Sequence, residues 1–164
     1  MRYFRKCAGI LLAALLAGAC FADEPSKFYK LDFVVKEIDG AKVVNTRAYS
    51  MIGSSSPKVT HGYNIRTGGK VPYFTGKEYI ELFVGVDIDC MSLTEEPNGL
   101  SLWVGADISS VAESATKTDR PFVRQNKWAS SVLVPIKKPT VIFSSDDPTS
   151  KQQMQLELTA TPIM

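Results

Sequence analysis

Three aspartates are the residues of this sequence whose types and spacing best suit chemistry. Asp87 and Asp89 alternate with apolar residues in one predicted strand, and Asp107 occupies the matching face of the next. Carboxylates gathered on one face supply the oxygen ligands that hard divalent cations prefer, so the three residues are candidates for a metal site. The alternative is that these carboxylates face water or pair with a lysine or arginine. The second interpretation is favoured, so the sequence predicts no metal and no cofactor.

The remaining chemistry-bearing side chains are too few for a recognisable catalytic centre. His61 is the only histidine, and Cys90 is the only cysteine beyond the N-terminal segment. A zinc site needs three or four ligands, and a nucleophilic triad needs a base with an orienting acid. The sequence therefore predicts no catalytic residues and a protein that is not an enzyme.

The first 22 residues have the pattern of an export signal. A basic start, an apolar run over residues 8–19 and small residues before Asp23 are typical of a secretory signal peptide. Cleavage before Asp23 predicts a mature chain without a transmembrane helix, in the periplasm or secreted. A second interpretation is that residues 17–20 resemble a lipobox, in which Cys20 would carry a lipid and anchor the protein to a membrane.

Residues 23–164 are predicted to form a single domain of nearly balanced charge. Of the 19 basic and 17 acidic residues, three basic and no acidic ones lie in residues 1–22. Sixteen basic residues then face seventeen acidic ones, which gives a formal charge of −1. A nucleic-acid partner is not expected, because binding to phosphates needs a strongly basic face.

Apolar and polar residues alternate with a period of two along nearly the whole mature chain, and no stretch has the period of a helix. Seven or eight short strands separated by turn residues predict an all-β domain, an antiparallel β-sandwich or an open barrel. Residues 53–77 are rich in glycine, serine, proline and lysine, and we predict a loop there around a short strand at 63–67. Within it, Gly68 and Gly69 predict a tight bend.

Residues 80–90 and 100–108 form the clearest predicted hairpin. Its apolar residues occupy even-numbered positions in both strands. They can face the same core only if even-numbered residues of one strand pair with even-numbered residues of the other. A turn centred on Asn98 satisfies this with a loop of three or five residues. It places Asp89 opposite Asp107.

Two tryptophans and one loop are the candidate contact residues. The hairpin places Trp103 on the polar face of its strand, where an aromatic residue is suited to anchor an interface. The alternative is that a second layer of the protein covers that face. Trp128 and the loop at 63–77, with Arg66, Lys70 and Tyr73, are the other candidates.

Four segments resemble the C-terminal secretin domain of bacterial type II and type III export channels. These are residues 65–72 with Gly-x-x-Val-Pro, the hairpin 84–110, the strand pair 121–143, and residues 156–163 with a Thr-Pro-Ile ending. The resemblance covers about residues 63–163 and implies the topology of that domain. The opening at residues 30–37 and the ending also resemble short exported bacterial proteins.

Three functions follow as hypotheses. The first is a non-enzymatic β protein of the cell envelope that binds another envelope protein or itself. The second is a carrier whose open barrel holds a small apolar ligand in a cavity behind residues 80–90. The third and least favoured is a hydrolase that uses carboxylates alone.

Overall fold

A computed structural model describes residues 26–56, 62–111, 123–147 and 151–163. The predicted signal peptide, Cys20 and His61 lie outside these residues. Among the described residues there is no helix with the length and apolar character needed to cross a membrane.

Eight strands form two four-stranded antiparallel sheets. The strands are β1 (Phe28–Asp39), β2 (Lys42–Ser54), β3 (Tyr63–Phe74), β4 (Tyr79–Glu96), β5 (Gly99–Val111), β6 (Val123–Val134), β7 (Thr140–Asp146) and β8 (Gln152–Ile163). The first sheet has the order β2-β1-β8-β7 and the second has the order β3-β4-β5-β6. The predicted all-β antiparallel fold is confirmed, and the two sheets form a sandwich that does not close into a barrel.

One hydrophobic core lies between the sheets, and the alternation of the sequence produces it. Successive side chains of a strand point to opposite faces, so every second residue of the central strands reaches the core. Each large apolar side chain buried there contributes about 1.5–3 kcal/mol. The largest fully buried ones are Leu31, Phe33, Ile88, Leu100, Leu102, Ile108, Leu156 and Leu158.

The turn between β4 and β5 is shorter than the sequence predicts. Glu96 pairs with Gly99, so Pro97 and Asn98 form a turn of two residues. The expected loop of three or five residues is therefore wrong. Continued without interruption, this pairing would send the apolar faces of the two strands to opposite sides of the sheet.

A β-bulge in β4 restores the common face. Between the pairs Met91–Trp103 and Thr94–Ser101, two residues of β4 lie opposite one residue of β5. Ser92 has a φ of 55° in this bulge, a left-handed conformation that residues with a side chain rarely adopt. The shift of one residue brings the even-numbered apolar residues of both strands back to the core.

The loop predicted over residues 53–77 is largely wrong, because β3 runs without a break from Tyr63 to Phe74. The tight bend predicted at Gly68 and Gly69 is also absent, since both residues pair with β4. The strand lies at the edge of its sheet, where polar residues and a proline such as Pro72 are tolerated. Its composition therefore resembles that of a loop.

Candidate functional site

Residues 68–85 project beyond the core as a two-stranded hairpin, which we call the arm. The pairing of β4 with β5 ends at Val86 and Ile108, whereas its pairing with β3 continues to the turn. At the branch point, the amide of Gly85 donates a hydrogen bond of 3.1 Å to the hydroxyl of Ser109. In the described part of the chain, the strands of the arm pair only with each other.

Two opposing glycines mark the base of the arm. Gly68 pairs with Gly85, and the two backbones approach closely at this point. A Cβ atom added at Gly68 would lie 2.2 Å from the carbonyl oxygen of Val84, and one at Gly85 would lie 2.2 Å from that of Thr67. Such distances leave no room for a side chain at either position, so the approach depends on glycine.

Both faces of the arm carry apolar side chains. On the face that continues the core, the residues are half-buried: Val71, Tyr73, Ile80, Leu82 and Val84. On the opposite face Phe74, Tyr79 and Phe83 are 55%, 77% and 49% exposed. The rings of Phe74 and Tyr79 pack with their centroids 5.0 Å apart at the tip.

The sequence analysis missed these three aromatic residues. A strand with only one covered face alternates apolar and polar residues. Residues 79–84 depart from this alternation, because five of the six are apolar. This run of apolar residues indicated that the outer face of the strand is also apolar, but the same run is equally typical of a strand buried on both faces.

The three candidate contact residues Arg66, Lys70 and Tyr73 all lie on β3, the edge strand from which half of the arm is built. The ammonium group of Lys70 is 2.5 Å from a carboxylate oxygen of Glu81, across the outer face of the arm. β3 pairs with β4 on one side, and within the described ranges no strand pairs with its other side. The other side of β3 is thus a sheet edge of twelve residues.

Two of the three aspartates, Asp87 and Asp89, contact the guanidinium group of Arg66. Arg66 places Nη2 at 2.6 Å from Oδ1 of Asp89 and Nε at 3.7 Å from Oδ2 of Asp87. The predicted pairing of Asp89 with Asp107 is wrong, because the bulge and the two-residue turn place Asp87 opposite Asp107 and Asp89 opposite Gly105.

Asp107 has partners of its own. Its carboxylate accepts hydrogen bonds of 2.8 and 2.9 Å from the side-chain amide of Gln125, and Lys127 lies 3.9 Å away. The described residues contain no group of three or more side chains arranged to hold a metal ion. Of the two interpretations of the aspartates, the contacts correspond to pairing with a basic residue.

The two tryptophans have different surroundings. Trp103 is half-buried on the outer face of β5, where a Cβ atom added at Gly105 would lie 2.7 Å from its indole ring. Trp128 lies on the inner face of β6, opposite Ala106, and its ring centroid is 5.6 Å from that of Phe143 in the other sheet. Trp128 therefore packs between the sheets, whereas Trp103 lies on an outer surface.

Burial makes the thiol of Cys90 unsuited to reaction. Its side chain is fully buried in the core, and desolvation, with a smaller contribution from the charge of Asp89, raises its pKa to about 12. The thiolate is the reactive form of cysteine, so a raised pKa lowers its nucleophilic fraction at neutral pH.

Comparison with known proteins finds secretins among solved structures. Similar structures include the type II secretin XcpQ of Pseudomonas aeruginosa (TM-score 0.41, 11% identity, 84% of this chain and 57% of that one). They also include the type III injectisome secretin InvG of Salmonella (TM-score 0.48, 7% identity, 85% and 64%). A third is the type II secretin GspD of enteropathogenic Escherichia coli (TM-score 0.46, 9% identity, 85% and 66%).

The resemblance to the secretin domain that the sequence motifs predict is confirmed, and at these identities it concerns the fold alone. The chain spans 57% to 66% of the length of these three structures. No protein-family model matches the sequence, and no curated protein matches it.

Proposed function

We propose that this protein is an exported, non-enzymatic β module of the cell envelope that binds a second protein or another copy of itself through the arm. The mature chain would be the single domain 23–164 in the periplasm or beyond it. A soluble form that begins at Asp23 and a form anchored through lipidated Cys20 remain two versions of this proposal, and the intact mass of the purified protein distinguishes them.

The exposed aromatic cluster of the arm is the observation that carries the proposal. Phe74, Tyr79 and Phe83 lie on one face of a hairpin that extends away from the core. Phe74 and Tyr79 form an exposed aromatic pair at the tip, and Phe83 lies nearer the base, beyond the Lys70–Glu81 ion pair. Aromatic residues dominate the energy of protein interfaces, so these side chains are suited to bind a partner. The half-buried apolar residues on the other face of the arm form a second apolar surface.

The open edge of β3 supports the same proposal. An exposed strand edge offers a row of backbone donors and acceptors to which an extended segment can add as a further strand. Arg66, Lys70 and Tyr73 lie along this edge, so backbone pairing and side-chain contacts would occur on one surface. Trp103 remains a further candidate contact on the outer face of the same sheet.

The two alternative functions receive less support from the geometry. A carrier needs a cavity behind residues 80–90, but Ile88 and Cys90 are fully buried within the packed core. A carboxylate hydrolase needs two acids at a cleft. Asp87 and Asp89 are instead bound to Arg66 on an outer strand face.

Site-specific photo-crosslinking in intact cells tests the proposal directly. A photo-reactive residue at position 83 should give a discrete adduct, whereas one at position 28 should not. Phe28 is a matched control, because it is an aromatic residue of similar exposure, 51% against 49%, in the other sheet. Light scattering on the purified protein, with and without detergent, then shows whether the adduct reflects self-association.

Two results would overturn the proposal. One is the absence of any adduct at position 83, and the other is the same adduct at both positions. A discrete adduct with twice the mass of the chain supports self-association, and any other discrete mass supports a different envelope protein.

A further inference from the structure

At one end of the sandwich, the side chains that point inward between the sheets change from mostly apolar to mostly polar. Along β1, the inward positions continue from buried Val35 to Glu37. The same step of two residues leads from Ile108 to Ser110 in β5. In β8 the inward residue two positions before buried Leu156 is half-buried Met154, preceded by Gln152. In these three central strands the inward positions further from this end are apolar, so the polar residues mark the rim of the core.

These positions line a cleft of about 370 Å³ between the two sheets. Its walls come from the ends of β1, β5 and β7 and the beginnings of β6 and β8, and all five termini lie at the same end of the sandwich. A volume of this size is within the range of ligand sites, about 300–1,000 Å³. The lining residues beyond those named above are Val123, Arg124, Gln125, Asn126, Ser145, Asp147 and Gln153.

Arg124 spans the cleft from one sheet to the other. Its Nη1 donates a hydrogen bond of 3.0 Å to Oε1 of Gln152 and lies 3.5 Å from Oδ2 of Asp147. Its Nε atom is buried and has no hydrogen-bond partner among the described residues. Because this atom is not accessible from the cleft, a ligand would meet the exposed part of the Arg124 side chain, which is 39% exposed.

The charges of the cleft are paired within the protein. Arg124 faces Asp147, and the carboxylate of Glu37 lies 2.5 Å from Nη2 of Arg47. A ligand with a net charge would meet no unpaired opposite charge among these four residues. The other polar lining groups are amides and hydroxyls, which both donate and accept hydrogen bonds. Such groups suit a ligand whose own polar groups both donate and accept hydrogen bonds.

We propose that this cleft binds a neutral, hydroxyl-rich small molecule, of the size of a saccharide with one or two sugar units. Hydroxyl groups donate to carboxylates and amide oxygens, and they accept from amides and from the guanidinium of Arg124. None of the lining residues belongs to the arm, so this inference adds a ligand to the proposed binding module without depending on that function.

A nuclear magnetic resonance titration of the purified protein tests this inference. The probes are glucose, N-acetylglucosamine and maltose, with glutamate and inorganic phosphate as charged comparison compounds. We expect at least one sugar to shift the backbone amides of residues 124–126 and 152–154 saturably below about 10 mM, the range of weak specific binding. Amides of residues 79–84 in the arm should not move.

A matched pair of variants locates the binding. Asn126→Ala removes an amide that lines the cleft and should weaken the affinity for that sugar at least tenfold. Asn64→Ala removes an exposed amide from β3, away from the cleft, and should change the affinity less than twofold. The unfolding midpoint of each variant shows that a lost affinity does not come from a lost fold.

Three results would overturn the proposal: no sugar shifts the cleft amides, glutamate or phosphate shifts them more than any sugar, or both variants lose affinity equally.

Discussion

β4 runs through two different surroundings, and the contrast separates the core from the arm, the proposed binding surface. From Val86 to Cys90, every second side chain is fully buried between the sheets. From Tyr79 to Gly85 the same strand belongs to the arm, where apolar side chains are half-buried or exposed. The positions on the core side are apolar in both halves, and in the arm most positions between them are apolar as well. The two regions differ in their neighbouring strand, because β5 pairs with residues 86–90 and does not pair with residues 79–85.

This comparison predicts the largest effect at a core position next to β4. Leu102→Ala removes a side chain that is only 1% exposed and leaves a cavity. Substitutions of this kind lower the free energy of unfolding by about 2–5 kcal/mol. Denaturant unfolding with urea measures the loss. A loss below about 1 kcal/mol would show that the core relaxes around the cavity.

The boundary between the two halves should be sensitive at one glycine and tolerant at its neighbour. Gly68→Ala places a Cβ atom 2.2 Å from the carbonyl oxygen of Val84, so the backbone must move. Gly69→Ala meets no heavy atom within 4 Å. We expect Gly68→Ala to lower the free energy of unfolding by about 1–3 kcal/mol, as overpacking does, and Gly69→Ala to leave it nearly unchanged. Equal effects of the two substitutions would contradict the close approach at the base of the arm.

The far end of β4 is tied to the other sheet by Glu95, and this contact predicts a smaller, pH-dependent effect. Glu95 accepts hydrogen bonds from Lys27 at 2.5 Å and from Ser55 at 3.2 Å. The bond from Lys27, followed by those from Tyr29 and Ser55, lowers the pKa of Glu95. Burial and the neighbouring carboxylate raise the pKa of Tyr29 to about 12.

A carboxyl group with a lowered pKa in the folded protein contributes stability above its unfolded pKa of about 4.3 and loses it as the pH falls through the folded pKa. Glu95→Gln should therefore lower the free energy of unfolding at pH 7 by less than about 1 kcal/mol, because the pair is exposed to solvent. The difference from the native protein should shrink below about pH 4. Urea unfolding at several pH values measures it, with Glu96→Gln as the control at the adjacent position. A difference that grows on acidification would contradict the sign of the pKa shift.

The arm itself should contribute least to stability. Phe83→Ser replaces a side chain that is 49% exposed, and surface substitutions usually change the free energy of unfolding by no more than about 0.5 kcal/mol. The same substitution should abolish the adduct expected from a photo-reactive residue at position 79. A loss of stability comparable to that of Leu102→Ala would show that the arm packs as core and not as a binding surface.

The fold could be predicted from the sequence where the local pattern had one physical solution. The alternation through Leu31 and Phe33, and again through Leu156 and Leu158, left an antiparallel sandwich or an open barrel as the architectures that bury every apolar face. The strand β3 was missed because an edge strand buries little, so its composition is close to that of a loop. Of the proposed binding surface, the sequence suggested Arg66, Lys70 and Tyr73, which lie on the arm or its edge strand, but not Phe74, Tyr79 and Phe83.

By itself, the sequence determined which side chains alternate and therefore which could face a core, because the period of a strand is a local property of the backbone. Only the tertiary structure decided the register of β4 and β5, since the two-residue turn and the bulge at Ser92 compensate each other across the hairpin. Tertiary structure also decided that the arm is uncovered and that polar inward residues meet in one cleft. Burial depends on which strands lie alongside, and no local pattern contains that information.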